Sequence, residues 1–127
     1  MNLVDSSAWL SYFAAEQNAA LFARPVEDTG HLLVPSITLT EVFKCIARQC
    51  GEGAALRAIA HMEQGKVVPL DSTLAIDAAV YGLNNKLPLA DSIIYATARK
   101  FGAVIWTQDA DFKTLSGVKY YQRVKSS

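Results

Sequence analysis

Five carboxylates define the chemistry open to this chain. Asp5 directly follows the apolar pair Leu3-Val4, Asp109 and Asp111 follow Val104-Ile105-Trp106-Thr107, and Asp91 stands at the start of a helical stretch. If the apolar segments are strands, these four aspartates face one edge of one sheet, where they repel one another. Crowded carboxylates raise each other's pKa unless a cation compensates them. Oxygen donors without His or Cys suit Mg²⁺ or Mn²⁺ rather than zinc. Such an ion activates water and offsets the charge of a phosphorane-like transition state, so phosphodiester hydrolysis fits this donor set. Nothing supplies an activated Ser or Cys with an adjacent base.

Each acid also has a structural reading. Asp is a favoured helix cap and suits the positive end of a helix dipole, which accounts for Asp5, Asp91 and Asp109 one at a time. Glu41 completes a capping-box spacing with Thr38, and helical angles turn it away from the apolar face of Leu39, Val42, Phe43 and Ile46. Taken alone, Glu41 reads as solvated. Ser6 and Thr107 adjoin site acids and could orient a carboxylate, although a cap or turn hydroxyl explains both equally well. His31 and His61 lack a second ligand at metal spacing and read as packing or surface residues. Cys45 and Cys50, five apart, match neither a redox pair nor a zinc knuckle and read as free, mostly buried thiols.

The elements that must position these acids follow from periodicity. Leu3-Val4 reads as a buried strand closed by Asp5-Ser6-Ser7, with a helix through Ala8 to Phe13. An amphipathic helix from about Glu16 to Ala23 ends before Pro25, and the turn Asp28-Thr29-Gly30 leads into a strand over His31–Val34. Helical spacing resumes at Leu39, breaks at Gly51 and Gly53, and continues through Leu56, Ile59 and Met62. Gly65 precedes a strand over Lys66–Leu70. A helix capped by Asp71 or Ser72 then carries Leu74, Ile76, Ala79 and Val80. A helix over about Ala90–Phe101 ends at Gly102, before a strand Ala103–Trp106 and a last short strand over Val118–Tyr121. Strands alternating with helices predict a three-layer α/β/α sandwich around a mainly parallel sheet of four or five strands, because parallel crossovers must hold a helix. Ligands of such sheets bind outside the carboxyl ends of the strands.

A chain of 127 residues suits one domain, here spanning 1–127, that buries a core without disulfides or structural metal. No apolar stretch approaches the roughly 18 residues of a membrane span, and the start lacks the basic and apolar regions of a secretory signal, so the cytoplasm is expected. Net charge is zero, which gives no general footprint for nucleic acid. The halves differ, however: residues 1–63 hold four Lys/Arg against seven acids, and residues 64–127 hold eight against five. Lys113, Lys119, Arg123 and Lys125 follow the last acid and could touch phosphates, while a solvated basic tail is the commoner meaning of such a run.

Together these segments resemble the PIN domain, especially the small stand-alone ribonucleases of the VapC toxin type, over nearly the whole chain. Leu3-Val4-Asp5-Ser6-Ser7-Ala8-Trp9-Leu10 is similar to the opening strand and its terminal acid, and Pro35-Ser36-Ile37-Thr38-Leu39-Thr40-Glu41-Val42 to the segment bearing the acidic helix residue. Leu87-Pro88-Leu89-Ala90-Asp91-Ser92-Ile93-Ile94-Tyr95-Ala96-Thr97-Ala98 resembles the most distinctive block, and Ile105-Trp106-Thr107-Gln108-Asp109-Ala110-Asp111-Phe112 the closing T-x-D-x-D-F element. The resemblance implies a Mg²⁺- or Mn²⁺-dependent endoribonuclease acting on RNA. Asp5, Glu41, Asp91 and Asp109 would form its acidic site, and Asp111 is the acid whose part varies among families. It also implies a tendency to form homodimers and neutralisation by a small antitoxin.

Two other readings compete. A phosphatase of the haloacid dehalogenase type would need a second Asp two residues after Asp5, where Ser7 stands. An idle PIN-fold interaction module would keep the fold while substitution of its acids changed nothing measurable.

Overall fold

A computed structural model describes residues 1–124. Among these residues the chain forms β1 (Asn2–Val4), α1 (Ser6–Phe13), α2 (Ala19–Glu27), β2 (Leu32–Pro35), α3 (Ser36–Cys50) and α4 (Glu52–Met62). There follow β3 (Lys66–Val68), α5 (Ser72–Asn85), α6 (Leu89–Phe101), β4 (Val104–Thr107) and β5 (Val118–Tyr120), with 3-10 turns at Thr29–His31 and Ala110–Phe112.

The five strands form one sheet in the order β3-β2-β1-β4-β5, every neighbouring pair parallel. Period-two alternation splits the apolar residues between two cores, because successive strand residues point to opposite faces. Leu3, Leu33, Val68 and Ile105 pack with Leu74 and Ala78 of α5 and Ile93, Ile94 and Ala98 of α6. Val4, Leu32, Val34 and Trp106 pack on the other face with Trp9, Phe22, Val26, Val42 and Met62 of α1 to α4. The expected three-layer α/β/α architecture is therefore present. No helix of the described residues is long and apolar enough to cross a membrane.

Local expectations were altered where packing outweighed propensity. The second helix starts later than expected and runs through Pro25, which lies in its last turn. Interior proline costs about 3 kcal/mol. Burial of Phe22, Pro25 and Val26 exceeds that, at roughly 1.5–3 kcal/mol for a large apolar side chain. His31 belongs to a 3-10 turn, exposed beside Asp28, and not to β2. Gly51, at φ +89°, separates α3 from α4, whereas Gly53 lies within α4. Of the apolar positions on α5, Leu74 and Ala78 are buried while Ile76 and Val80 are exposed. Both cysteines are free, but Cys45 is only part-buried and Cys50 is exposed, at the end of a helix where only one side meets the core. Lys125, the last of the basic run, lies outside the described residues.

The strand order explains where a site can form. The chain proceeds outward from β1 to β2 and β3, then returns to the far side of β1 with β4. The crossovers diverge between β1 and β4, and the carboxyl end of such a switch point is an open crevice. Asp5 ends β1, and Thr107 to Asp109 end β4.

Candidate metal centre

Asp5 is fixed from three directions. Its Oδ1 accepts the Ala8 amide at 2.9 Å, capping α1, and the Ser7 hydroxyl at 2.7 Å, while Oδ2 accepts the Thr107 hydroxyl at 2.5 Å. Only 2% of Asp5 is exposed. Burial raises its pKa to about 6, the three hydrogen bonds oppose the rise, and the charge of Asp109 adds to it. The cap and the site are thus one residue with two roles.

Thr107 links Asp5 to the closing acids. Its Oγ1 accepts the Asp109 amide at 2.8 Å while it donates to Asp5. Asp109 Oδ1 in turn accepts the Asp111 amide at 2.9 Å and caps the 3-10 turn Ala110–Phe112. Phe112, fully buried, anchors that turn to the core. Ser7 closes the network, since its hydroxyl accepts the Gln108 amide at 3.2 Å. Its part in the site was not foreseen from the sequence. The only clue was a short hydroxyl two residues after the first acid.

Asp91 enters from the facing helix. It lies in the first turn of α6 without serving as the cap, a position taken by Pro88. One carboxylate oxygen from each of Asp91, Asp109 and Asp111 lies within 4.8 Å of the others. Burial, the charge of Asp109, a hydrogen bond with Asp111 and the charges of Asp111 and Asp5 together push the Asp91 pKa up to about 8. Among the described residues no Lys or Arg forms an ion pair with any of these acids.

Glu41 stands outside the tight trio. It is half-buried, and its Oε1 accepts the Ser6 hydroxyl at 2.6 Å. The capping-box reading of Glu41 does not hold, because α3 begins at Ser36 and Thr38 bonds back to Pro35 O at 2.7 Å. The structure therefore gathers Asp5, Asp91, Asp109 and Asp111 at the switch point and ties Glu41 to α1 through Ser6. Oxygen donors this close, uncompensated by protein cations, fit a hard divalent ion. A separate groove of about 570 Å³ lies between α1, α3 and α4, lined in part by Leu10, Phe13, Ile46, Ala58 and His61.

The PIN-domain family model matches residues 3–118, which include all five acids. The chain belongs to the PIN-domain family. Solved structures support the fold of this PIN domain. A toxin–antitoxin complex from Klebsiella pneumoniae matches with a TM-score of 0.82 at 21% identity, over 96% of this chain and 99% of that one. VapC20 of Mycobacterium tuberculosis, described as a sarcin–ricin loop cleaving toxin, matches with a TM-score of 0.78 at 21% identity over 93% and 97%. A DNA-bound VapBC from Salmonella typhimurium matches with a TM-score of 0.72 at 16% identity over 96% and 98%. No curated protein matches the sequence of this PIN domain.

Proposed function

We propose that the chain is a Mg²⁺- or Mn²⁺-dependent endoribonuclease, acting as a single PIN-like unit over residues 1–127 in the cytoplasm, and the toxin of a toxin–antitoxin pair. The observation that carries this reading is the trio Asp91, Asp109 and Asp111, with oxygens within 4.8 Å, beside buried Asp5 in a PIN fold. Structures of the same fold described as a sarcin–ricin loop cleaving toxin and as a VapBC complex support a nuclease toxin with an antitoxin partner.

Asp91, Asp109, Asp111 and Asp5 would hold the ion, and Glu41 is the further acid of the site. When bound, a divalent ion supplies Lewis-acid charge that makes water a better nucleophile and offsets charge growing on the phosphoryl oxygens. The chain's own part is arrangement. Thr107 and Ser7 hold the Asp5 carboxylate in one orientation, and Asp109 fixes the turn that presents Asp111. Burial and the neighbouring acids raise the Asp91 pKa to about 8, a rise that the charge of a bound cation would oppose. Ser6 sets the direction of Glu41.

The groove beside α1 offers a surface to a small protein partner, and the exposed apolar stripe of α5 supports a homodimer. The test of the activity is cleavage of labelled total RNA with Mg²⁺, with Mn²⁺ and with chelator, for the native chain and for Asp91→Asn. Asparagine keeps the shape and removes the ligand charge. We expect metal-dependent cleavage by the native chain and at least a hundredfold loss in the variant, in line with losing an ion-binding or charge-stabilising group. Cleavage that survives both chelator and substitution would sink the reading.

A further inference from the structure

We infer that Lys113 and Tyr120 receive one unpaired nucleotide of a single-stranded RNA beside the acidic site, Lys113 on a phosphate and Tyr120 against the base. This deepens the ribonuclease reading and rests on it. The structure disperses the carboxyl-terminal basic run. Lys119 lies 4.4 Å over the Trp106 ring, on the sheet face of α1 to α4, and Arg123 lines the groove between α1, α3 and α4. Lys113 sits in the site's own loop, two residues past Asp111. Phe112, fully buried between them, fixes the loop, and both flanking side chains are exposed. Among the described residues Lys113 forms no ion pair with the neighbouring acids, so its charge is available to another anion.

Tyr120 is placed by strand register. It pairs with Thr107 across the parallel β4–β5 ladder, and paired residues of parallel strands point to the same face. Ile105 and Val118, two residues earlier on each strand, both pack on the α5–α6 face. Tyr120 therefore stands on the face that carries Asp91, one strand beyond the Thr107 hydroxyl that holds Asp5, at an interstrand spacing of about 4.8 Å. Its ring is only part-buried, and β5 is the outer strand on this side among the described residues.

The Lys113 ammonium rests 5.9 Å from the centre of the Tyr120 ring. That is the outer limit of a cation–π contact, a hold that a charge-assisted bond to phosphate exceeds. As Lys113 turns to a phosphate, the ring face is left to a base. A polyanion approaching the site is thereby met by a cation and a stacking surface just outside the carboxylates that repel it. Stacking on a side chain requires a base free of its own neighbours, which selects single-stranded or looped RNA.

Single-turnover cleavage of short single-stranded and duplex RNA with Mn²⁺, at several salt concentrations, tests this on the full chain. Tyr120→Leu should raise the half-saturating single-strand concentration about tenfold with the plateau rate little changed, whereas Tyr120→Phe, which keeps the ring, should stay within about twofold. Lys113→Gln should flatten the log–log salt dependence by about 0.7, the increment of one single-strand phosphate contact, and Lys113→Arg should restore it. A native chain that cleaves RNA while Tyr120→Leu and Lys113→Gln keep both saturation and salt slope would overturn the inference and leave the ribonuclease reading intact. An equal loss on duplex would overturn base stacking. A native chain that neither binds nor cleaves any RNA would remove the ribonuclease reading and this inference together.

Discussion

At the scale of residues, Asp91 shows how burial and crowding by other carboxylates resist the charging of an acid. Its place in the first turn of α6 favours the charged form through the helix dipole, yet burial and three neighbouring carboxylates outweigh the dipole and raise its pKa to about 8. A carboxyl whose folded pKa lies above its unfolded value of 3.8 stabilises the fold when protonated, so that contribution is complete below about pH 4 and is lost as pH rises towards 8. Asp5, raised to about 6, acts in the same direction. Metal-free protein should therefore lose thermal stability between pH 5 and 8. Since ligands must be deprotonated, added Mg²⁺ or Mn²⁺ should raise Tm more at pH 8 than at pH 5.5. Asp91→Asn should flatten the metal-free decline above pH 6 and abolish most of the ion-induced rise. Melting curves read by circular dichroism check this, and a metal-free protein that grows more stable towards pH 8 would contradict it.

At the scale of elements, α5 holds α6 in the position that presents Asp91. Gly82 lies opposite Ser92, and a Cβ there would collide with the Ser92 hydroxyl and stand 3.2 Å from its Cβ. Ser92 itself anchors the start of α6 by donating to Pro88 O at 2.9 Å, next to Asp91. Replacing glycine by alanine in a helix gains about 1 kcal/mol, whereas overpacking a close contact costs about 1–3 kcal/mol. Gly82→Ala should thus be destabilising by on the order of 1 kcal/mol, lowering Tm by about 2–5 °C, and should reduce RNA cleavage through the displaced first turn of α6. Scanning calorimetry and the cleavage assay check the two effects, and an unchanged or higher Tm would show that the helices part without cost. The same interface explains why helical periodicity misplaced part of the α5 core. Contact with α6 selects Leu74 and Ala78, and leaves Ile76 and Val80 outside.

At the scale of the whole molecule, α5 and the start of α6 expose a continuous set of large apolar side chains. Ile76 is 66% exposed, Val80 52%, Leu83 82% and Leu89 79%. Isolated exposed leucines are ordinary, but a helical stripe of this kind is the mark of an interaction surface. The homodimer proposed above would cover it. Leu83→Glu, a solvent-facing change that leaves the two cores untouched, should convert a dimer at micromolar concentration into a monomer with unchanged circular dichroism. Sedimentation equilibrium measures the mass directly. A native monomer, or a dimer indifferent to the substitution, would place the stripe outside any self-association.

The amino-acid sequence by itself determined the alternation of strands and helices, the mainly parallel sheet between helical layers and the family, because periodicity and local motifs are properties of neighbouring residues. It also singled out Asp5, Asp91, Asp109 and Asp111, whose positions after strands and at a helix start needed only a sheet to bring them to one edge. Tertiary structure alone decided the rest. The order β3-β2-β1-β4-β5 put the switch point between Asp5 and Asp109, and no local signal encodes which strands become neighbours. Long-range packing carried α2 through Pro25, against its local propensity. A contact spanning 35 residues joined Glu41 to Ser6 in place of the capping box that three-residue spacing suggested. Hydrogen bonds and charges act across space, so the bond from Thr107 to Asp5 and the raised pKa of Asp91 are set by which residues the fold makes adjacent.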